Sequence, residues 1–256
     1  RFMNDQAIRD RLVNHGRQIL NAKQGTAKFT DVPAADALIC DLDTRPHAFV
    51  LACVMDRQIK AEKAWLIPYR LSLRDSKLAG FSMAALGELS LDEVRSLMSH
   101  PEPLHRFIEK MSKAFYSAIQ RIKEKYGGDA SRIWRGRPSS AEVVGRFLEF
   151  DGIGPKIANM AANILVRGFK IQFADYASID ISVDVHVRRV FARLGLSESN
   201  ASIQQIIYRA RALHPEFPGI MDSSCWKIGR NWCKPGKPEC SNCYMKDLCP
   251  TAKGNL

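Results

Sequence analysis

An all-α fold is predicted because apolar residues recur at helical spacing along most of the chain, whereas patterns typical of strands are scarce. The chain has 256 residues, of which 46% are hydrophobic, enough to bury the core of one large domain or two small ones. The best strand candidate is the segment FKIQF at 169–173. Helical patterns cover, in order, residues 5–22, 90–100, 104–125, 140–149, 156–167, 185–194 and 202–214.

Near the N-terminus, Ile8, Leu12 and Ile19 lie on one helical face, and residues 23–33 follow as a predicted loop. The stretch 46–65 has an apolar first half, which suits a buried helix, and a polar second half. A helix start is marked further along by Ser139 and Glu142, which form the S-x-x-E pattern of a capping box. That helix is expected to run until the segment DGIG interrupts it, so the next helix completes a helical hairpin.

Basic residues dominate the charge. Lys and Arg number 38 and Asp and Glu 27, which gives a formal net charge of +11. A field of this sign favours polyanions and makes nucleic acid the first partner to consider. An anionic membrane surface is the weaker alternative, because no basic amphipathic stretch stands alone and nothing approaches the roughly 18 apolar residues that a spanning helix needs. The first residues contain no apolar run typical of a signal peptide, so a cytoplasmic location is expected.

The turn between the two hairpin helices reads Gly152-Ile153-Gly154-Pro155-Lys156. Its two glycines can adopt positive φ, and its backbone amides at a helix N-terminus can bind a phosphate oxygen. The alternative is an ordinary connection that uses glycine for geometry alone. Lys156 falls in the first helical turn, where the helix dipole disfavours an ammonium, so its amine is a candidate nucleophile for Schiff-base chemistry. A surface lysine that only attracts phosphate is the simpler interpretation.

A second candidate group lies in the segment SVDVHVRRVFARLGL. Asp184 directly precedes a helical apolar pattern and therefore occupies an N-cap position, which is sufficient to explain its presence. As a functional group, its carboxylate would stabilise a cationic sugar centre or help to deprotonate an amine. His186 can bind phosphate or substrate, although a helix histidine is more often simply packed.

Four of the seven cysteines are clustered near the C-terminus as C-x6-C-x2-C-x5-C: Cys233, Cys240, Cys243 and Cys249. Disulfide frameworks are more typical of short secreted chains. The residues alone leave zinc and an iron–sulfur cluster open, although zinc sites favour two short cysteine pairs and this run has one.

Taken together, FDGIGPKIA, then SVDVHVRRV, then KIGRNWCKPGKPECSNCYMKDLC resemble the endonuclease III branch of the helix-hairpin-helix DNA glycosylases. The resemblance implies that Lys156 is the catalytic lysine, that Asp184 is the essential aspartate and that the four clustered cysteines hold a [4Fe–4S] cluster. It further implies that Lys156 attacks C1′ of a damaged nucleoside, and that the resulting Schiff base permits β-elimination. Such enzymes extrude the target nucleotide from the duplex.

Further DNA contacts are expected in two loops. Lys234 and Lys237, in the gap between the first two clustered cysteines, would face DNA phosphates, or be solvated. Gln58 falls where the family often places a polar residue that fills the gap left by the extruded base, and the alternative is a solvated glutamine. Arg57 and Lys60 beside it suit contacts with the DNA backbone, although solvated charge explains them equally well.

The architecture implied by the resemblance has two helical domains with a DNA-binding cleft between them. A helical barrel containing the hairpin would span residues 46–168, and residues 1–45 and 169–256 would form the iron–sulfur domain. Lys156 would enter the cleft from the first domain and Asp184 from the second. The expected partner is double-stranded DNA with a damaged base or an abasic site, bound by a monomer that associates with the nucleoid in a prokaryote.

Some residues depart from the family pattern and limit what it implies about substrate. Phe150 and Asp151 stand where leucine and proline are common, and Pro155 replaces a common basic residue. The segment 170–182 is longer than its counterpart in endonuclease III and is positioned to line a base pocket. Oxidised pyrimidines are the expected substrates, with a monofunctional or mismatch-directed glycosylase for uracil, thymine or adenine as the alternative. A non-catalytic binder of distorted DNA is the alternative from another class.

Overall fold

The computed structural model of the chain describes residues 2–22 and 28–255. Within these residues there are helices, short 3₁₀ turns and loops, and no strand, so the all-α prediction is confirmed. No helix in this part of the chain is both long and apolar enough to cross a membrane. The α-helices are α1 (Phe2–Asn21), α2 (Pro33–Cys40), α3 (Pro46–Met55), α4 (Ala61–Ser72), α5 (Met83–Gly87), α6 (Leu91–Ser99), α7 (Ile108–Tyr126), α8 (Ser140–Leu148), α9 (Pro155–Arg167), α10 (Val185–Arg193), α11 (Ile203–Leu213), α12 (Asp222–Asn231) and α13 (Pro250–Asn255).

The predicted helices match observed ones to within about one turn. In the stretch 46–65 the apolar half forms α3, and the polar half becomes a loop and the start of α4. Helix α8 begins at Ser140, as expected from a cap at Ser139. Residues 28–32 form no helix or strand, and the remainder of the predicted loop before α2, residues 23–27, lies outside the described residues.

Two compact units divide the chain. One comprises Arg1–Lys23, Ser139–Ala141 and Ala162–Leu256, and the other comprises Gln24–Pro138 and Glu142–Ala161. We call them the terminal unit and the central unit. Residues 28–45 fall in the central unit, whereas the sequence-based division groups them with the C-terminal segment. That division, and the cleft expected between the domains, stay predictions.

Helix α3 is the core of the central unit, and all ten of its residues are buried. Phe49, near its middle, is fully buried, and the rings of Trp65, Trp134 and Phe147 surround it at centroid distances of 5.8, 6.1 and 6.4 Å. Aromatic rings at such distances combine large burial with favourable edge contacts. The helix is therefore fixed from several directions at once.

The terminal unit brings α1 together with segments from the C-terminal half. Helix α1 packs on α12 and on the 3₁₀ turn Pro218–Met221. A methyl group placed on Gly16 would lie 2.2 Å from the carbonyl oxygen of Ile220, which no side chain permits. Glycine at this position is thus required by the close approach of two backbones.

The strand candidate at 169–173 is wrong. Its backbone instead continues from the end of α9, where Phe169 N donates to Ile164 O at 3.2 Å and Ile171 N donates to Leu165 O at 2.9 Å. Lys170 adopts a φ of 58°, in the left-handed region. The last carbonyls of α9 have no partners within the helix, and the backbone N–H groups of Phe169 and Ile171 donate to them. These hydrogen bonds hold the segment as a helix end in spite of its alternating apolar pattern.

The Lys170 ammonium ties two helix ends together. It donates to the carbonyls of Ile19 and Leu20 at the end of α1, at 3.3 and 2.8 Å, and to that of Arg167 in α9, at 2.6 Å. A cation at helix C-termini satisfies carbonyls that lack partners within the helix, and it complements the helix dipole.

We expect Lys170→Met to lower the free energy of unfolding by about 2 kcal/mol, because the change keeps the aliphatic chain but removes the charged donor from three carbonyls. Equilibrium urea unfolding checks this. Lys253→Met, at an exposed position in α13, is the matched control and should change stability by less than about 0.5 kcal/mol. Equal effects of the two substitutions would contradict the assigned role.

Candidate functional site

The two glycines of the turn between α8 and α9 have different roles. Gly152 has a φ of 90°, and a methyl group there would lie 3.5 Å from Ala114 Cβ. Gly154 is exposed, and a methyl group on it would meet nothing within 4 Å. Gly152 is therefore needed for the bend. Gly154 leaves open space beside the first amides of α9, which lack carbonyl partners within the helix.

The residues that precede this turn have structural roles. Phe150 is buried and stacks on Tyr126, with ring centroids 6.3 Å apart and planes 7° apart. The Asp151 carboxylate accepts a hydrogen bond from Ser117 Oγ in α7, at 2.6 Å. Asp151 is thus held by α7, although its charge still lies near the predicted phosphate site.

Lys156 is the second residue of α9, as predicted, and its side chain is exposed. Its backbone N–H is one of the helix's first amides, and its side chain leaves the helix beside the glycine turn. An exposed amine at this end of a helix is accessible to a ligand whose phosphates bind the amides of the same turn. The structure therefore places the candidate nucleophile next to a candidate anion site.

Asp184 caps α10, which confirms the N-cap prediction. Its Oδ1 accepts from the backbone N–H groups of His186 and Val187, both at 2.8 Å. Oδ2 accepts no hydrogen bond from the described part of the chain. One carboxylate oxygen thus fixes the side chain, while the other remains available for chemistry.

His186 is the second residue of α10, and its side chain packs against α12. A methyl group on Gly229 would lie 2.6 Å from His186 Cβ, so glycine is required for the two helices to approach. Arg189 Nη2 donates to His186 Nδ1 at 3.0 Å, which makes that nitrogen an acceptor and puts the ring proton on Nε2. A role for His186 in binding DNA stays a prediction.

The four clustered cysteines line one small cavity of about 30 Å³ in the terminal unit. None of the seven cysteines, all of which lie in the described residues, forms a disulfide. No three His, Cys, Asp or Glu side chains within residues 2–22 and 28–255 are grouped as the ligands of a single metal ion would be. A shared cavity with four sulfur donors nevertheless fits a group that is held by four thiolates.

Two arginines of α10 hold the cysteine loop, and sequence reasoning missed both. Arg189 Nε donates to Cys233 O at 2.6 Å. Arg193 donates to the carbonyls of Lys234 and Pro235 at 2.6 and 2.8 Å, and its Nη1 lies 3.4 Å from Cys233 Sγ. A guanidinium beside a sulfur suits a thiolate ligand. The only signal in the sequence is their spacing of four residues, which places both on one helical face.

The predicted DNA-contacting lysines of this loop differ in their surroundings. The Lys234 ammonium turns back and donates to the carbonyl of Arg230 at the end of α12. Lys237 is exposed. Of the two, Lys237 is the one whose charge is presented freely to solvent, and contact of either with DNA stays a prediction.

The loop after α3 carries the other predicted contacts. Gln58 is exposed and has a φ of 55°, a conformation that is uncommon for a residue other than glycine. Arg57 is half-buried, and its N–H donates to Met55 O at 2.8 Å. Lys60 is exposed at the N-cap of α4. The short loop between two buried helices thus holds Gln58 in a strained conformation, of the kind found at functional sites.

Lys156 belongs to the central unit and Asp184 to the terminal unit. Lys156 is placed by the first turn of α9, and Asp184 is placed by its role as the N-cap of α10. Their meeting in one cleft stays a prediction.

No family model matches the chain. In sequence it is 31% identical over 156 residues to endonuclease III of Thermotoga maritima, which covers 58% of this chain and 63% of that protein. It is 29% identical over 140 residues to endonuclease III-like protein 1 of Gallus gallus, 52% of this chain and 41% of that protein. Adenine DNA glycosylase of Homo sapiens is 24% identical over 214 residues, 82% of this chain and 34% of that protein. The chain thus spans less than two thirds of these relatives' length.

Solved structures match nearly the whole chain. A trapped endonuclease III–DNA covalent intermediate aligns with a TM-score of 0.63 and 18% identity over 98% of both chains. A thermostable thymine-DNA glycosylase aligns with a TM-score of 0.62 and 15% identity over 96% of this chain and 97% of that one. The chain is therefore similar to endonuclease III in part of its sequence and shares the fold of these solved glycosylase structures.

Two substitutions at Asp184 separate its capping role from its charge. Asp184→Ala removes the acceptor for two amides and should lower the free energy of unfolding by about 1 kcal/mol. Asp184→Asn keeps an equally good cap and should cost less than about 0.5 kcal/mol. Equilibrium urea unfolding distinguishes them, and an Asn variant as unstable as the Ala variant would count against the cap.

Proposed function

We propose that the chain is a base-excision DNA glycosylase that also cleaves the DNA backbone as an AP lyase. The observation that carries this proposal is the exposed Lys156 at the second position of α9, directly after a glycine turn with an open amide end. An amine next to a phosphate-binding turn is suited to attack a sugar carbon of the bound strand. Similarity in sequence and fold to endonuclease III supports the same assignment.

The proposed chemistry begins with the neutral amine of Lys156. Its Nζ attacks C1′, the bond between C1′ and the base breaks, and the base leaves with the bonding electrons. The amine loses a proton and the bond between C1′ and O4′ opens, which gives a Schiff base. Loss of a C2′ proton then breaks the C3′–O bond and nicks the strand. Hydrolysis of the Schiff base returns the free lysine.

Asp184 is proposed to act through the oxygen that the helix cap leaves free. Oδ1 is held by two amides, so the carboxylate has a fixed orientation. In this proposal Oδ2 would stabilise positive charge on the sugar as the base departs, or receive a proton from the attacking amine. A preorganised carboxylate performs either role without reorientation during the reaction.

Double-stranded DNA with a damaged base or an abasic site is the proposed partner. The formal charge of +11 supplies long-range attraction to phosphates. The amides at Gly154 and the exposed Lys60 and Lys237 supply candidate backbone contacts. Gln58, held outward by its left-handed backbone, is proposed to occupy the gap that the extruded nucleotide leaves.

Cys233, Cys240, Cys243 and Cys249 are proposed to hold a [4Fe–4S] cluster. Support comes from their common cavity and from the Arg193 guanidinium beside Cys233 Sγ. When bound, such a cluster cross-links the loop and carries the negative charge of its thiolates. The contribution of the chain is to anchor that loop on α10, the helix that Asp184 caps.

Oxidised pyrimidines are the proposed substrates. Mismatch-directed removal of adenine or thymine is the second candidate, since adenine and thymine glycosylases are among the similar proteins. The lysine at 156 favours the first, because glycosylases that use water as the nucleophile have no need of an amine at this position.

Borohydride should trap the wild-type protein covalently on duplex DNA that contains an oxidised pyrimidine, because it reduces the Schiff base to a stable amine. Lys156→Ala should abolish the adduct, and gel electrophoresis reads both outcomes. The control Lys60→Ala should weaken binding but still give the adduct. Base release without trapping by the wild type would support a monofunctional glycosylase. Binding to distorted DNA without turnover on a lesion panel would support a non-catalytic role.

Purified protein should show broad visible absorbance and contain iron, and both should be lost in Cys240→Ser, since that change removes one of four ligands. Cys40→Ser alters a cysteine of the central unit and should leave the spectrum unchanged. Stoichiometric zinc without visible absorbance would refute the iron–sulfur assignment.

A further inference from the structure

Helix α12 presents an aromatic and cationic face to solvent. Its exposed residues are Trp226, Lys227, Arg230 and Asn231, whereas its acidic residue, Asp222, is buried. Trp226 is 45% exposed, although tryptophan is on average a well-buried residue. An exposed aromatic ring on a face with two cations and no anion is typical of a surface that binds nucleic acid.

Trp226 and Arg230 form a stacked pair on this face. The Arg230 guanidinium lies over the Trp226 ring, with Cζ 4.7 Å from the ring centroid. The two residues are four positions apart and are therefore neighbours on the helix surface. Such a cation–π contact favours one orientation of the indole. Because the guanidinium occupies one face of the ring, the opposite face is the one on which a second flat group can stack.

Helices α10 and α12 pack side by side and run in the same direction. Gly229 packs on His186, since a methyl group on Gly229 would lie 2.6 Å from His186 Cβ. Three residues further along α10, Arg189 donates to Gly229 O at 3.1 Å and to Cys233 O at 2.6 Å. Because the contacts advance along both helices together, the turn before Gly229 lies level with the residues that precede His186.

Trp226 therefore lies at the end of α10 that Asp184 caps. It precedes Gly229 by three residues, about 4.5 Å along the helix axis, and helical side chains lean toward the N-terminus of their helix. Burial raises the pKa of the Cys225 thiol, next to Trp226, and the charges of Asp222 and Asp184 raise it further. The exposed indole and the N-cap carboxylate thus share one end of the paired helices, within the terminal unit.

We propose that Trp226 is a stacking platform for the nucleobase that leaves the duplex at the lesion. This inference rests on the proposed glycosylase function, in which Asp184 acts on the sugar of the same nucleotide. A base within the duplex has both faces covered by its neighbours, whereas an extruded base exposes them to an aromatic side chain. Stacking on Trp226 holds the extruded base beside Asp184, and the indole takes no part in breaking the bond to the sugar.

Tyr208 on α11 offers a matched control within the same unit. It is 62% exposed, and Arg211 Cζ lies 4.9 Å from its ring centroid, so it reproduces the pairing of an exposed ring with a guanidinium. Arg211 in turn donates two hydrogen bonds to the Asp180 carboxylate, at 2.7 and 2.8 Å. Tyr208 therefore tests whether any exposed aromatic residue of this kind contributes to binding.

The test compares the binding of two duplexes by fluorescence anisotropy at one salt concentration. One duplex carries an oxidised pyrimidine on a 2′-fluorinated sugar, which resists loss of the base, and the other carries a tetrahydrofuran abasic analogue at the same position. Trp226→Ala should weaken binding of the first about tenfold and of the second less than about twofold, because only the first has a base to stack. Trp226→Phe should retain most of the affinity, and Tyr208→Ala should bind both duplexes as the wild type does.

Two results would overturn the stacking role. Equal weakening on both duplexes would indicate a contact with the DNA backbone, and unchanged affinity of Trp226→Ala for both would leave Trp226 without a role in binding DNA. If Trp226→Ala does not fold, Trp226→Leu replaces it, since leucine keeps an apolar side chain without a ring. Binding requires no Schiff base, so failed borohydride trapping together with selective weakening would sink the lyase proposal alone. Successful trapping with either overturning result would remove this inference alone.

Discussion

The complete burial of α3 is the constraint on which the central unit depends. A helix without a solvent-facing side must be covered around its whole circumference, and α2, α4 and α7 together with the ring of aromatic side chains do this. Because α3 cannot rotate or slide without opening voids, the position of its last turn is fixed. The glycine turn at Gly152 lies against Val54 in this last turn, and Gln58, with its unusual backbone, follows the end of α3 by three residues.

In the terminal unit, hydrogen bonds to the single helix α10 fix the position of the cysteine loop. Helix α10 begins with the Asp184 cap and carries Arg189 and Arg193 one turn apart on the side that holds the cysteine loop. A displacement of the cysteine loop would therefore strain the hydrogen bonds to α10, the helix that orients Asp184. Packing holds α3 in the central unit, whereas charged donors hold the cysteine loop on α10 in the terminal unit.

The parts of the site that were predictable from sequence are those determined locally. The hairpin turn and the N-cap depend on residues within one turn of each other, so Gly152 and Asp184 could be assigned from their neighbours alone. The strand prediction for 169–173 was wrong because backbone N–H groups of this segment donate to the carbonyls at the end of α9. Arg193 could not be recognised, since its partners in the cysteine loop are about forty residues away in sequence and only the fold brings them together. Likewise, cysteine spacing could suggest ligands but not the cavity they share.

The two units draw on the chain in different ways, and this affects the order in which they can form during synthesis. The central unit is nearly continuous from residue 24 to residue 161, so a ribosome delivers all of it before the C-terminal third. In the terminal unit, by contrast, α1 is synthesised well before its partners. Lys170 donates to the carbonyls at the end of α1, and Ile220 packs against Gly16. A helix with an uncovered apolar face is prone to aggregation until its partners are synthesised. Folding of the cysteine-bearing unit is thus coupled to the late arrival of the residues that complete it.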